Sequence, residues 1–445
     1  MAYTSLLDRL GLHRRELRAW ALYDVANSAW MTTVMTVVFP LFFVKVAAAG
    51  LPPEVARSRL AFASSLSVVL VGLLGPLLGA IADYRGRKKL FLGAFLALGA
   101  VATEHMYFIG EGQWAFALGT FVVGNVAVTS TLAFYNSLLP SIAARDEVDR
   151  VSTAGFALGY LGGGLLLAVN MAMLGNPRAF GLADTGAAAR LSFLSVAAWW
   201  VLFSIPLFRH VPEPPRRLEA AETGQESAVR IAARRLLETF RELRGHKDAA
   251  LLLLAFLIYN DAVNTIIRMA MIYGDEIGIS STHLMAAFLM IQLVGVPFAF
   301  AFGILADRVG TKPALFVTLA VYAGVSAYGF ALRTTAQFFV LGFLVATVQG
   351  GIQALSRSLF ATLIPRHKAG ERFGFFGVFD RFGGAIGMFV FGVFQATAGS
   401  GRPAILTLIV FFAIGAWLLT RVDVERGRRF AREAEAAAHE AAPPA

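Results

Sequence analysis

Apolar segments of about 20 residues recur along the whole chain and are separated by short polar stretches. A helix rises about 1.5 Å per residue, so roughly 20 apolar residues cross the ~30 Å hydrocarbon core of a bilayer. The pattern predicts an all-α polytopic membrane protein with twelve transmembrane helices, numbered here as spans 1 to 12. The predicted spans cover residues 20–46, 60–82, 89–109, 113–138, 151–174, 190–208, 249–273, 283–306, 313–332, 335–362, 373–398 and 403–420.

The composition agrees with a membrane location for most of the chain. Hydrophobic residues make up 57% and charged residues 15%, whereas soluble domains carry roughly a quarter charged residues. The chain has no cysteine, which excludes disulfides and thiolate metal sites, and no cofactor or metal motif occurs. The net charge of +10 does not predict a nucleic-acid partner, because the basic residues lie in alternate loops.

Lys and Arg are distributed unequally between the two sets of loops. Of the 39 Lys and Arg residues, 29 lie in the N-terminal segment, the loops after spans 2, 4, 8 and 10, the central linker and the tail, and 6 lie in the opposite loops. Cytoplasmic loops collect basic residues in membrane proteins. Both termini are therefore predicted to be cytoplasmic, in a plasma (inner) membrane.

Landmarks in the first half of the chain recur in the second at a nearly constant offset. The pattern Gly-x-x-x-Asp-x-x-Gly begins at Gly79 after span 2 and returns at Gly303 after span 8, 224 residues later. Repeats of this kind are typical of transporters built from two related halves. The predicted domains are a six-helix half (1–208), a cytoplasmic linker with a basic amphipathic helix (209–248), a second six-helix half (249–420) and a frayed or disordered cytoplasmic tail (421–445).

The two copies of this loop motif are candidate gates on the cytoplasmic side. Gly86 permits a tight turn, and Asp83 is expected to pair with Arg87 or to lie at the positive N-terminal end of a helix from the other half. The alternative is a plain turn with the usual cytoplasmic positive charge. Asp380 in span 11 is a further candidate for contact with the first-half gate. The candidate gating residues are Gly79, Asp83, Gly86, Arg87, Asp307, Gly310, Lys312 and Asp380.

Polar side chains interrupt spans 1 and 7 at matching positions. Asp24, Asn27 and Ser28 occupy positions i, i+3 and i+4 of span 1 and so share one helix face. Span 7 repeats the order with Asp261 and Asn264. A carboxylate in hydrocarbon is costly, so the two acids indicate a polar path between the halves.

The other intramembrane charges leave alternatives open. Arg268 lies two turns after Asp261 and could form a permanent ion pair with it, or Asp261 could exchange a proton during transport. Arg357 in span 10 could bind a substrate carboxylate or extend to the cytoplasm. Asp24 lies closer than Asp261 to the start of its span, so their relative depth also stays open. The candidate pathway residues are Asp24, Asn27, Ser28, Asn136, Tyr160, Asp261, Asn264, Arg268, Gln353 and Arg357.

The duplicated loop motif, in a twelve-span chain with a long central linker, resembles the major facilitator superfamily. The resemblance implies two pseudo-symmetric six-helix halves. The chain departs from the superfamily motif at Tyr84 and Thr311, where a basic residue is usual. Three segments are more narrowly similar to the vacuole effluxer-like branch, which comprises the autophagy-related amino-acid effluxers and their prokaryotic relatives: Ala21-Leu-Tyr23-Asp24-Val-Ala-Asn27-Ser28, Phe134-Tyr135-Asn136-Ser137-Leu-Leu-Pro140 and Leu355-Ser356-Arg357-Ser358.

These features together predict a secondary active transporter that works by alternating access, and not an enzyme. The resemblance implies efflux of a small solute, with neutral amino acids as the implied class, and proton coupling is an open addition. The alternatives are a lipid, amphiphile or drug exporter of the same fold, and a membrane receptor or scaffold that does not transport. The expected partners are a small-molecule substrate and the bilayer, with the protein acting as a monomer.

Overall fold

The computed structural model describes residues 6–215, 246–276, 278–383, 385–398 and 402–440, and these residues are almost entirely helical. The amphipathic helix expected in the linker falls largely on residues 216–245, outside the described residues. After one helical turn at Leu6–Arg9, the helices are α1 (Arg15–Ala47), α2 (Pro53–Arg85), α3 (Lys88–His105), α4 (Trp114–Ile142), α5 (Val148–Gly175), α6 (Thr185–His210), α7 (Lys247–Glu276), α8 (Ser281–Val309), α9 (Thr311–Phe330), α10 (Thr335–Leu363), α11a (Ala369–Phe382), α11b (Ala385–Ala398), α12 (Arg402–Arg421) and α13 (Val424–Glu440).

Eleven helices in the described ranges are long and apolar enough to cross a membrane, and they correspond to predicted spans 1 to 10 and 12. The prediction of one continuous span 11 is wrong. That segment consists of α11a and α11b, each 14 residues long, and the backbone leaves the helical region at Gly383. Two consecutive glycines occur at this point of the sequence, and each costs a helix about 1 kcal/mol relative to alanine.

The first helix begins earlier than its apolar pattern indicates, at Arg15 instead of residue 20. Asp24 therefore lies about 13 Å along α1, while Asp261 lies about 21 Å along α7, which begins at Lys247. Both helices start at the same end of the bundle. The two acids consequently lie at different depths, with Asp261 the deeper.

Helices α1–α6 and α7–α12 form two bundles that meet along close helix contacts. A Cβ atom on Gly374 of α11a would lie 2.7 Å from the carbonyl oxygen of Gly75 in α2, so only glycine permits this approach. On the other side of the interface, Gly303 of α8 packs against Thr153 of α5. Small residues of this kind let transmembrane helices approach closely. This two-half arrangement is the predicted fold class.

The C-terminal segment is ordered, in contrast to the frayed or disordered tail that the sequence predicts. Helix α13 packs across the ends of α7 and α10, with Gly427 against Leu363 and Asp248. Asp248 Oδ2 accepts a hydrogen bond from Arg426 Nε at 2.7 Å, and Asp248 Oδ1 accepts one from Arg426 Nη2 at 2.7 Å. Arg145 of the first half contacts Glu435 of α13 at 3.5 Å. The tail is therefore anchored to both halves.

Candidate functional site

A buried ion pair joins the two halves. Arg357 of α10 places its Nη1 atom 3.3 Å from Asp24 Oδ2 of α1. The two residues are 3% and 5% exposed, respectively. The alternative in which Arg357 extends to the cytoplasm is wrong, because its guanidinium is enclosed by the first half.

Side chains of α4 and α5 complete the surroundings of this pair. Ser152 accepts hydrogen bonds from Arg357 at its hydroxyl (Nε, 2.9 Å) and at its carbonyl oxygen (Nη2, 2.7 Å). Asn136 Oδ1 accepts from Arg357 Nη1 at 3.3 Å, and the hydroxyl of Tyr135 donates to Asp24 at 2.8 Å. Removing charges from water is costly unless they are paired and hydrogen-bonded, and both conditions are met here. The predicted residue Asn136 thus joins Asp24 and Arg357 in one site.

Aromatic rings and one glycine shape the space around Arg357. Its Cζ atom lies 4.3 Å from the ring centre of Phe156 and 4.8 Å from that of Trp20, within the range of cation–π attraction. On the remaining side, a Cβ on Gly155 would overlap the Asp24 carboxylate and lie 3.1 Å from Arg357 Nη2. Gly155 therefore provides the room in which the ion pair forms.

Asp261, the second predicted acid, has a different role in this conformation. Its carboxylate accepts hydrogen bonds from the backbone N–H groups of Ile386 (3.0 Å) and Gly387 (2.7 Å), in the first turn of α11b. The N-terminus of a helix carries unpaired N–H groups and partial positive charge, so a carboxylate is favourable there. The permanent ion pair with Arg268 is not observed: the side chain of Arg268 is exposed and lies beyond ion-pair distance of Asp261.

Asn264 and Asp380 belong to the same region, on either side of the break in α11. Asn260 Nδ2 donates to Asp380 Oδ1 at 3.1 Å, and Asn264 Nδ2 donates to the carbonyl oxygen of Asn260 at 3.0 Å. The assignment of Asp380 to the first-half gate is wrong. Asp380 lies ten residues, or about 15 Å, along the helix from Gly370, where that gate binds.

The two acids pack against equivalent glycine pairs in the two halves. Ser28, one turn after Asp24, contacts Gly159 and Gly163 of α5, and Thr265, one turn after Asp261, contacts Gly387 of α11b. Gly163 and Gly387 are 224 residues apart, the same offset as the loop motifs. The symmetry ends at hydrogen bonding. Helix α5 is continuous and uses its own N–H groups, whereas the break in α11 leaves N–H groups for Asp261.

The remaining predicted pathway residues lie near the interface of the halves. Asn27 is buried, and its Oδ1 atom has no hydrogen-bond partner among the described residues. The ring of Tyr160 reaches across from α5 to the second half, where a Cβ on Gly350 would lie 2.9 Å from it. Its hydroxyl is buried and likewise unpartnered within the described ranges. Gln353 is half-buried on α10, one turn before Arg357.

The first loop motif binds a helix of the second half, as one of its two expected modes states. Asp83 Oδ1 and Oδ2 accept hydrogen bonds from the backbone N–H groups of Gly370 (3.1 Å) and Glu371 (2.8 Å) at the start of α11a. Its ion-pair partner is Lys88 at 2.8 Å, and Arg87 is exposed. The sequence contained four adjacent candidates for the cation, and burial of Lys88 (3% exposed) decides between them.

The second loop motif makes the mirror-image contact with α5, through residues that sequence reasoning missed. Asp307 Oδ2 lies 3.2 Å from Arg150 Nε, and Thr311 donates a hydrogen bond to Asp149 at 2.5 Å. Ser358 of α10 also donates to Asp149. An acidic and a basic residue side by side at the start of span 5 were the available signal.

Glycine and lysine in the second motif have local roles. Gly310 has a φ of +91°, which a residue with a side chain rarely adopts, so the tight turn is confirmed. Lys312 Nζ donates to the carbonyl oxygens of Thr420 (3.1 Å) and Val422 (2.7 Å) at the end of α12. Those partners belong to the same half. The gating assignment of Lys312 is therefore wrong for this conformation.

Comparison with known proteins decides the family. The family model described as "Vacuole effluxer Atg22 like" matches residues 54–432. The chain belongs to this family. The chain is 36% identical over 413 residues to the uncharacterized MFS-type transporter YxiO of Bacillus subtilis (strain 168), covering 92% of this chain and 95% of that protein. Membership makes the protein a membrane transporter and not an enzyme.

Fungal members of the Atg22-like family are more distant. Autophagy-related protein 22 of Yarrowia lipolytica is 27% identical over 312 residues, which cover 64% of this chain and 52% of the fungal protein. This chain thus spans about half the length of that relative. Autophagy-related protein 22 of Kluyveromyces lactis is 24% identical over 405 residues, covering 83% of this chain and 80% of that protein.

Solved structures show that this Atg22-like protein has the major facilitator fold. The proton:xylose symporter XylE, bound to 6-bromo-6-deoxy-D-glucose, superposes with a TM-score of 0.68 at 16% identity, covering 92% of this chain and 95% of XylE. A bacterial homologue of the iron transporter ferroportin in an outward-facing state superposes with a TM-score of 0.64 at 15% identity, covering 92% of this chain and 98% of the homologue. At these identities the likeness concerns the fold alone.

The contacts between halves described above concentrate at one end of the Atg22-like bundle. Asp83 with α11a, Arg150 with Asp307, and Thr311 with Asp149 all lie at the end that carries both loop motifs. The Asp24–Arg357 pair lies just inside them. This end of the bundle, which the sequence predicts to be cytoplasmic, is closed.

Proposed function

We propose that the protein is a secondary active transporter that exports neutral amino acids by alternating access. The observation that carries the proposal is the Asp24–Arg357 pair, which spans the two halves in a buried site. It offers one negative and one positive group 3.3 Å apart. A neutral amino acid carries the complementary pair of charges on one carbon atom.

The substrate replaces contacts that the site makes with itself. Its carboxylate pairs with the guanidinium of Arg357, whose planar fork suits two parallel hydrogen bonds, and its ammonium group pairs with Asp24. A solute with only one of these charges would leave the other protein charge buried and unpaired, at a cost of several kcal/mol. The site therefore selects zwitterions over simple amines or carboxylic acids.

Alternating access requires the closed end to open. The Asp83–Gly370 and Arg150–Asp307 contacts hold the halves together there, and they break when the halves rock apart. Arg357 moves with the second half, so the same motion separates it from Asp24. The substrate site and the gates are thereby coupled.

Proton coupling follows from the same separation. A carboxylate in apolar surroundings that loses its cation tends to take up a proton, because the charged form is poorly solvated. Asp24 is the group that loses its cation when the halves separate. A proton is then carried by Asp24 in the state that lacks the Arg357 contact.

The proposed setting is a plasma (inner) membrane with both termini cytoplasmic and the protein acting as a monomer. Support comes from the basic loops at the closed end, since Lys and Arg collect on the cytoplasmic side of membrane proteins. Substrate binding within one bundle pair needs no second copy of the chain.

The test is transport by purified protein in liposomes. Labelled neutral amino acids are expected to cross, faster under a pH gradient, and Arg357→Lys is expected to reduce the rate about 10- to 100-fold because lysine cannot form the two-pronged contact. Asp24→Asn should abolish the response to the gradient. The matched controls are Arg333→Lys and Asp146→Asn, both at exposed positions. Absence of amino-acid movement, or wild-type rates in Arg357→Lys, contradicts the proposal.

A further inference from the structure

A second enclosed space lies wholly within the second half. It is bounded by α7, α8 and α10 and holds about 550 Å³ of space unfilled by atoms, counting its open mouth. Pockets of roughly 300–1,000 Å³ bind small organic molecules. The walls include Ile266 and Ala270 of α7, Phe288 and Ile291 of α8, and Val345 of α10. We call this space the apolar chamber.

The chamber has a closed end and a polar end. At the closed end, Leu284 and Phe338 fold against Gly274 of α7, where a Cβ would overlap Leu284 and lie 3.2 Å from Phe338. The other end is marked by Gln349 on α10. Eleven residues of α10 separate Phe338 from Gln349, which corresponds to about 16 Å. The chamber therefore suits an elongated body.

The lining is apolar except at one position. Twelve described residues line the chamber; Gln349 is the polar one, and none of the twelve is ionisable. Gln349 Oε1 is buried and has no hydrogen-bond partner within the described ranges. Leaving a buried acceptor unmet costs about 1–3 kcal/mol, which a donor on a ligand would recover.

We propose that the apolar chamber binds an uncharged, mainly apolar molecule that donates one hydrogen bond to Gln349. A charged ligand is disfavoured because the lining offers no counter-charge. The site is separate from the amino-acid site: Arg357 lies eight residues beyond Gln349, about 12 Å along α10. Because all three walls belong to one half, the chamber persists while the halves rock. This places a site for neutral amphiphiles beside the solute path.

The probe is N-phenyl-1-naphthylamine, a neutral diarylamine with one N–H group whose fluorescence rises in apolar surroundings. Wild-type protein in lipid nanodiscs is expected to bind it saturably after subtraction of empty nanodiscs. Ala270→Phe fills the chamber from α7 and should weaken binding more than tenfold, and Val345→Phe should do so from α10. Ala301→Phe is the matched control, because Ala301 is exposed on α8 outside the chamber.

The hydrogen bond is tested with the N-methyl derivative of the probe, which has no N–H group. Wild-type protein should prefer the N–H compound by about three- to tenfold, the value of one hydrogen bond, and Gln349→Leu should remove that preference while keeping the chamber apolar. Unaltered binding in both folded filling variants overturns the proposal, as does an unchanged preference in Gln349→Leu. Neither result depends on amino-acid transport, so the two proposals fail separately.

Discussion

The carboxylate of Asp261 lies 2.7 Å from the backbone nitrogen of Gly387, and this hydrogen bond joins α7 to the first turn of α11b. A Cβ on Gly387 would lie 3.0 Å from the same carboxylate and would overlap Thr265. Glycine at this position thus allows the acid to reach the helix end. The contact turns an intramembrane carboxylate into a helix cap and gives the break in α11 a polar partner.

Replacing Asp261 should therefore affect stability through α11b. Loss of a side-chain cap costs a helix about 0.5–2 kcal/mol, so Asp261→Ala is expected to lower the free energy of unfolding by roughly that amount. Asp261→Asn keeps an acceptor oxygen and should lose less. Denaturant unfolding of the purified protein measures both changes. Asp146→Asn, at an exposed position, is the control, and equal stability of Asp261→Ala and wild type would contradict the capping role.

Adding one methyl group at Gly155 should disturb the ion pair without changing any charge. The new Cβ would overlap Asp24 and press on Arg357, and forcing an extra carbon into a packed site typically costs about 1–3 kcal/mol. We expect Gly155→Ala to reduce transport about tenfold or more. Gly119→Ala is the matched control: no atom would lie within 4 Å of the added carbon, so transport should be unchanged. Comparable rates in the two variants would show that the space at Gly155 is not needed.

Removing the first gate should open the closed end. Asp83→Ala deletes the contacts with α11a and leaves Lys88 buried without its partner, which favours a conformation in which Lys88 reaches water. The chain has no natural cysteine, so Ala361→Cys, buried at the closed end, reports opening through labelling by a water-soluble maleimide. Labelling should rise severalfold in the Asp83→Ala background. Ala144→Cys, at an exposed position, should label equally in both.

The anchoring of α13 depends on Asp248. Asp248→Ala removes both hydrogen bonds to Arg426 and the one from the backbone of Asp423 (2.8 Å), so α13 should detach more often. Trypsin cleavage within α13, which contains several arginines, is expected to become faster. Glu425→Gln should leave the cleavage rate unchanged, since Glu425 is largely exposed and pairs within its own helix. A cleavage rate in Asp248→Ala equal to wild type would show that packing alone holds the helix.

Positions that follow from local pattern were predictable, and those that depend on distant partners were not. The spans and the turn at Gly310 follow from residues within one or two helical turns, and so did the loop placement of Asp83. The choice of Lys88 over Arg87 as its partner depends on which side chain faces inward. The roles of Asp149 and Arg150 depend on α8 and α10, more than 150 residues away.

The amino-acid sequence by itself determined a membrane protein of two related halves, because hydropathy and charge act segment by segment on how a chain meets a bilayer. It also located the acids in spans 1 and 7. Only the tertiary structure decided what those acids bind. Asp24 pairs with Arg357, 333 residues away, and Asp261 caps a helix that the apolar pattern showed as unbroken. Hydropathy reports whether a segment is buried, whereas hydrogen-bond partners are selected by the packing of helices from both halves.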